Sequence, residues 1–141
     1  MRPAALLLLL AIGCSSPSPP PPGAAGPIEA AQEFAAALQR GDAATAYGLL
    51  SARTQREADQ IAVKARAAGG DAGGVPTSGR QMLFASALPQ GKVEVREVSR
   101  QGDVAQVEVV DAVHRSRTYR VVRVGNLWKL DLDLGPPDAG G

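Results

Sequence analysis

The sequence has little of what usually carries chemistry. It contains one cysteine and one histidine, and aromatic residues make up 4% of its 141 positions. A single thiol forms no disulfide within the chain and binds no metal ion alone, so the cysteine provides neither an internal disulfide nor a metal site by itself. Because aromatic side chains are scarce, alanine, valine and leucine must fill most of the hydrophobic core. A chain of this length is expected to hold one domain.

An excess of charge of either sign is also missing. The chain has 15 lysines and arginines against 14 aspartates and glutamates. Nucleic-acid binding needs a basic stripe whose field draws in a polyanion. Several arginines are instead spread among apolar neighbours, which indicates the solvated side of a strand; they are Arg115, Arg117, Arg120 and Arg123. We therefore expect no nucleic acid among the partners.

The apolar run at the amino terminus is too short to span a membrane. Ala4–Ile12 has about nine residues, whereas a spanning helix needs about 20. The run follows the positively charged Arg2 and precedes the small Gly13, an order typical of a secretory signal peptide. Residues 1–13 are therefore predicted to be a cleaved signal.

The sole cysteine, Cys14, follows that run directly. Leu10–Cys14 resembles the lipobox of bacterial lipoproteins: Gly13 and Cys14 match it, and Ala11 replaces the usual leucine. The resemblance implies that the Cys14 sulfur carries a diacylglycerol and that the signal is cut just before it. Two or more acyl chains hold a protein stably on a membrane. The alternative is an ordinary secretory signal followed by an incidental cysteine.

The residues after Cys14 predict a location and a spacer. Ser15 and Ser16 stand where an aspartate signals inner-membrane retention in enterobacterial lipoproteins, so the resemblance favours the outer membrane of the cell envelope, with the protein facing the periplasm. Six of the thirteen residues of Ser15–Pro27 are proline, which favours extended polyproline II. We interpret residues 14–27 as a lipidated cysteine and tether; the alternative is a proline-rich docking ligand.

Residues 28–134 are predicted to form one folded domain whose first half is helical. Apolar residues recur at spacings of three and four along Ile28–Leu38. Gly41 is expected to end this helix as a left-handed cap. Asp42 and Ser51 are expected to cap the second and third helices.

Three further segments complete the helical half. Ala52–Ala67 has a thin apolar face and predicts the third helix. Gly69–Gly79 contains five glycines but lacks the lysine of a phosphate-binding loop, so it is interpreted as a flexible loop. Gln81–Leu88 predicts one more short helix.

After Pro89 the apolar period becomes two, which predicts an antiparallel meander of four strands. The strands are Lys92–Ser99, Val104–Val110, Arg117–Val124 and Trp128–Leu134, with a two-residue hairpin turn at Gly125–Asn126. In the last strand Trp128 faces one way, and Asp131 and Asp133 are expected to face solvent. The predicted fold class is therefore α+β, with helices packed on a four-stranded sheet and residues 135–141 as a flexible tail.

The order of these elements resembles the nuclear transport factor 2-like, or cystatin-like, superfamily. The residues that carry the resemblance are Ala30–Leu38, Gly41–Asp42, Ala46–Ser51, Tyr119–Arg123 and Gly125–Leu130. Between Ala52 and Gln90 the chain departs from the family, which often has a strand there. The resemblance implies a curved sheet wrapped around a helix, with a pocket at the open end of this cone. Some members are ketosteroid isomerase-like enzymes and many only bind, so the fold does not decide the function.

Ketosteroid isomerase-type chemistry needs a base and a phenol or protonated acid as oxyanion donor. The phenols of Tyr47 and Tyr119, together with Trp128, are candidates for lining the pocket. The only histidine, His114, lies between two strands and is interpreted as a solvated loop residue, with Asp111 near enough to orient it. The pattern places no acid beside either tyrosine. We therefore expect no catalytic residue, no cofactor and no metal ligand.

Three hypotheses for the function follow. The first is a non-catalytic, membrane-anchored lipoprotein that binds an envelope protein or a small apolar ligand. The second is a ketosteroid isomerase-like enzyme for a small apolar substrate, with Tyr47 or Tyr119 in its pocket. The third is a structural subunit of an envelope complex. A deep cavity with a carboxylate of raised pKa beside a tyrosine favours the enzyme; a cone filled by Trp128, Phe34 and leucines favours a binding domain or scaffold.

Overall fold

The computed structural model describes residues 23–69, 73–85 and 91–135. The elements are α1 (Pro27–Gln39), α2 (Ala43–Gly48), α3 (Ala52–Gly69), α4 (Gly79–Phe84), β1 (Glu94–Gln101), β2 (Val104–Val110), β3 (Ser116–Val124) and β4 (Leu127–Leu130). The predicted α+β class, with helices followed by a four-stranded antiparallel sheet, is confirmed. The predicted signal peptide, Cys14 and the tail beyond Gly135 lie outside the described residues.

Helix α1 is the element on which the sheet packs. Pro27 stands in its first turn, where a missing N–H group costs no helical hydrogen bond. The buried face combines small alanines with the aromatic ring of Phe34; its residues are Pro27, Ala30, Ala31, Phe34, Ala35 and Ala37. Because alanine side chains are short, the helix lies close to the sheet, and it contacts all four strands.

The helix boundary predicted at Gly41 is confirmed. Gly41 has a φ of 71°, the left-handed conformation that glycine adopts without a steric penalty. Its N–H donates to the Leu38 carbonyl at 3.0 Å, and the Asp42 N–H donates to the Ala37 carbonyl at 2.8 Å, which is a Schellman motif. The Asp42 carboxylate then accepts a hydrogen bond from the Thr45 N–H at 3.0 Å and caps α2.

The strands form an antiparallel meander in the order β1-β2-β3-β4. Val107 lies opposite Tyr119, and Val121 lies opposite Leu130, so these side chains share the face that packs on α1. Val107, Val121 and Leu130 are fully buried, together with Leu49 at the end of α2. The core therefore lies between α1 and one face of the sheet.

The outer edge of β4 is paired with two non-strand segments. Ala24 and Trp128 exchange backbone hydrogen bonds in both directions, at 3.3 and 2.8 Å. On the same strand, the Leu130 N–H donates to the Leu49 carbonyl at 2.9 Å, and the Leu130 carbonyl accepts from the Ser51 N–H at 2.7 Å. The backbone groups of Trp128 and Leu130 on this edge are thus already hydrogen-bonded, and α3 begins directly beside the end of β4.

The last strand is shorter than predicted, and one prediction about it is wrong. Strand β4 ends at Leu130 and not at Leu134. Beyond it the Asp131 N–H still donates to the Arg120 carbonyl at 2.8 Å, and the Leu132 N–H donates to the Thr54 hydroxyl of α3 at 2.9 Å. Asp131 is 5% exposed and does not face solvent. Alternation does place it on the face opposite Leu130, but the first turn of α3 covers that face.

Other elements also differ in their bounds, α4 and β1 among them. Helix α4 begins at Gly79, two residues before the prediction, because the Ser78 side chain accepts a hydrogen bond from the Gln81 N–H and caps it. Strand β1 continues to Gln101, with a shift of register between Glu97 and Ser99.

Candidate functional site

The three residues predicted to line a pocket lie in or against the hydrophobic core: Trp128 belongs to it, and Tyr47 and Tyr119 pack on it. Trp128 is 4% exposed and fills the core on the face that packs against α1. The guanidinium of Arg100 lies 5.2 Å from the centre of its ring, within the range of a cation–π contact. Trp128 is therefore part of the packed interior.

Tyr47 is half-buried on α2 and its hydroxyl is occupied. The hydroxyl donates to the Gln55 carbonyl at 3.1 Å, while the Gln55 side-chain amide donates to the Tyr47 carbonyl at 2.7 Å. Burial, followed by the neighbouring Asp59 carboxylate, raises the pKa of Tyr47 to about 12. This phenol stays protonated at neutral pH and ties α2 to α3.

Tyr119 belongs to a row of three aromatic rings. Its ring meets Phe34 edge-on at 6.2 Å, and Phe34 meets Phe84 edge-on at 6.1 Å. The row connects β3 to α1 and α4 by contacts that aromatic rings favour. Of the three predicted pocket residues, Tyr119 alone borders the open groove described below.

His114 is exposed in the connection between β2 and β3, as the sequence indicates. Its φ of 60° lies in the left-handed region. The Asp111 carboxylate accepts from the N–H groups of Val113 and Arg115 at 3.0 and 2.9 Å, and from the Arg115 Nε at 2.8 Å. Asp111 therefore orders the turn around the histidine and pairs with Arg115.

The polar centre of the molecule is a cluster that the sequence prediction missed. The buried carboxylate of Asp131 accepts hydrogen bonds at Oδ1 from the Ser51 hydroxyl at 2.6 Å and from the Arg53 Nε at 3.0 Å. At Oδ2 it accepts a hydrogen bond from Arg120 of β3. One carboxylate thus joins the start of α3, the middle of β3 and the segment that follows β4.

Neighbouring hydrogen bonds fasten the same junction. The Ser51 Oγ accepts from the Thr54 N–H at 3.1 Å and caps α3, as predicted. The Arg53 guanidinium also donates to the Leu132 carbonyl at 3.0 Å and to Glu57 at 2.7 Å. The chain after β4 is therefore bound to α3 by both backbone and side chains.

The Asp131 carboxylate remains ionised in this setting. Burial by itself would raise the pKa of Asp131, but hydrogen bonds from Arg53 and Ser51 and the positive charges of Arg53 and Arg120 outweigh it and hold the pKa below its ordinary value. The Arg53 and Arg120 side chains are 43% and 48% exposed, so both cations remain partly in contact with water. A buried anion therefore fixes two half-exposed cations.

An open groove of about 820 Å³ adjoins this cluster. It is bordered by Arg53 of α3, by Gln106 of β2, by Arg117, Thr118, Tyr119 and Arg120 of β3, and by residues 131–134. Its border holds three arginines and two carboxylates, those of Asp131 and Asp133. The groove lies at the end of the sheet where the chain leaves β4, not between the sheet and α1.

Within the three described ranges, no group of three or more histidine, cysteine, aspartate or glutamate residues is arranged to hold a metal ion. None of the helices in that part of the chain combines the length and apolar character needed to cross a bilayer. Comparisons with known protein families, with curated proteins and with solved structures find no match to this chain.

Proposed function

We propose that this chain is an exported, lipid-anchored accessory protein of the cell envelope whose single domain binds a partner without catalysing a reaction. The amino-terminal features support export and lipid anchoring: a short apolar run ending at Gly13, a sole cysteine at position 14 and a proline-rich tether. The outer membrane, with the domain facing the periplasm, is the location that the serines after Cys14 favour.

One observation carries the choice of binding over catalysis: the polar groups suited to chemistry already hold the fold together. A ketosteroid isomerase-like site needs a carboxylate of raised pKa beside a phenol. Here the pKa of the buried Asp131 is lowered, and its partners are arginines and a serine. The Tyr47 hydroxyl is bonded to a backbone carbonyl, and Trp128 of β4 and Phe34 of α1 fill the core between the sheet and that helix.

A contact across the sheet supports a nuclear transport factor 2-like cone. Arg100 lies on β1 and Trp128 on β4, at opposite ends of the strand order. In a flat sheet those strands would stand about 14 Å apart, three spacings of about 4.8 Å. The long side chains of Arg100 and Trp128 close that gap, and their 5.2 Å contact is compatible with a sheet curled around α1.

The anchor is tested by expressing the full-length chain with radioactive palmitate. We expect label on the wild-type chain, none on Cys14→Ser, and full labelling of the matched variant Ser15→Ala. Moving the thiol, by combining Cys14→Ser with Ser16→Cys, should not restore the label, because the cysteine must follow the cleavage site. Label that persists on Cys14→Ser, or a mature chain that begins upstream of Cys14, would overturn the anchor.

A further inference from the structure

Within the described ranges, the first half of β3 has no pairing strand on the side of β4. Strand β4 pairs with β3 only along Val121–Val124, and one further bond joins the Asp131 N–H to the Arg120 carbonyl at 2.8 Å. At Leu132 the backbone N–H and carbonyl are bonded to Thr54 and Arg53 of α3. Among the described residues, Ser116–Tyr119 therefore has a strand neighbour on the β2 side alone.

The backbone groups on that open side can be assigned from their neighbours. The Arg123 N–H donates to the Asp103 carbonyl on the β2 side, whereas the Arg120 carbonyl accepts from Asp131 on the other side. Backbone groups of an antiparallel strand alternate between its two neighbours. The N–H and carbonyl of Thr118 therefore point to the open side, and at about 3.3 Å per residue the open edge offers room for about four residues of a strand.

The open edge is also a wall of the groove beside Asp131. Arg117, Thr118 and Arg120 border that groove, and Leu132 and Leu134 border it as well. Three arginines face two carboxylates around the groove, and the Asp131 carboxylate is buried among its partners. A ligand in the groove therefore meets backbone groups that have no strand partner among the described residues, two leucines and the guanidinium of Arg117. The other two arginines are paired with Asp131, and Arg53 also bonds to Glu57.

The edge of β1 differs from this one. It carries a shift of register at Val98, and charged side chains from Arg96, Glu97 and Arg100 flank it. Bulges and charges are the devices with which proteins prevent a strand edge from pairing. The open part of β3 is also flanked by charged side chains, Arg117 and Arg120, but its pairing with β2 shows no shift of register.

We propose that this groove binds an extended acidic segment of a partner polypeptide. The segment pairs as an added strand with Ser116–Tyr119 of β3, beside Arg53, Arg117 and Arg120. Strand addition gives affinity through main-chain hydrogen bonds, and the arginines select acidic side chains. This inference rests on the proposed binding function and names the chemistry of the partner.

The probe is a fluorescein-labelled octapeptide of alternating valine and glutamate, titrated with the full-length chain in detergent and followed by fluorescence anisotropy. We expect Arg117→Glu to weaken binding about tenfold or more, because it reverses a charge at the groove. The matched variant Arg123→Glu lies on the same strand outside the groove and should change binding less than about twofold. Equal losses in both variants would mean attraction to overall charge and would refute the site.

Two further arms test strand addition itself. Thr118→Pro removes an N–H that faces the open side, so we expect a folded protein, by circular dichroism, that has lost the peptide, whereas Thr118→Ala retains it. A probe methylated on alternate backbone nitrogens should not bind. Binding of the methylated probe, or equal competition by inorganic phosphate or by phosphatidylglycerol vesicles, would refute the polypeptide partner. Failure of every peptide arm would refute this inference and leave the palmitate result untouched.

Discussion

Replacing Asp131 by alanine is the sharpest test of how this domain is held together. The change removes the acceptor shared by Ser51, Arg53 and Arg120, which come from α3 and β3. It creates little empty volume, since the side chain is small. The loss of stability therefore reports the polar junction and not the packing of the core.

The size of the loss follows from the exposure of the partners. Breaking a fully buried ion pair costs about 3–5 kcal/mol. The two arginines are 43% and 48% exposed, so water replaces part of what they lose. Adding the loss of a hydrogen bond from Ser51 to a charged group, we expect Asp131→Ala to lower the free energy of unfolding by about 2–3 kcal/mol.

Urea unfolding of the full-length chain at two pH values is the assay. The folded pKa of Asp131 lies below its unfolded value of about 3.9. The stabilisation is therefore complete above that pH and is lost as the pH falls through the folded pKa. The difference between wild type and Asp131→Ala should be full at neutral pH and should shrink in acid.

The matched control is Asp133→Ala, which removes an exposed carboxylate two residues further on and should change stability by less than about 0.5 kcal/mol. Two results would refute the reasoning. One is a loss for Asp131→Ala no larger than that of the control. The other is a loss that stays constant as the carboxylate is protonated.

Two other substitutions test the packing by the same urea assay. Trp128→Ala should cost about 3–5 kcal/mol because its indole is core; the exposed Val124→Ala is its control, and a loss below about 1 kcal/mol would mean that the strand register is wrong. Gly79→Ala should cost about 1–3 kcal/mol, because the added Cβ would lie 2.6 Å from the backbone of Ala58. Gly73→Ala has nothing within 4 Å of its Cβ and is the control; equal stability of both variants would contradict the close approach of α4 to α3.

Local signals in the sequence predicted the elements well. Gly41 with Asp42, and Ser51, mark helix ends through conformations and hydrogen bonds made within a few residues, and all three act as predicted. The alternation of valines predicted the meander, because one face of the sheet packs on α1 and carries the buried residues of β2, β3 and β4. These features need no knowledge of distant residues.

The candidate site was predicted less well, and Asp131 is the reason. The hairpin at Gly125–Asn126 sets the β3–β4 register, so the sequence already contained the pairing of Arg120 with Asp131. Nothing in the sequence indicated that the Asp131 carboxylate would be buried. Ser51, which donates to the carboxylate, lies 80 residues earlier in the chain.

The sequence by itself determined helices before strands, the helix ends, the hairpin and a hydrophobic face, since periodicity and capping act over a few residues. The tertiary structure alone decided that α3 covers Asp131, that β4 stops at Leu130 and that, in the described part of the chain, the start of β3 has no partner on the β4 side. Each of these depends on where α3 meets the end of the sheet, and that meeting is set by packing across the whole domain.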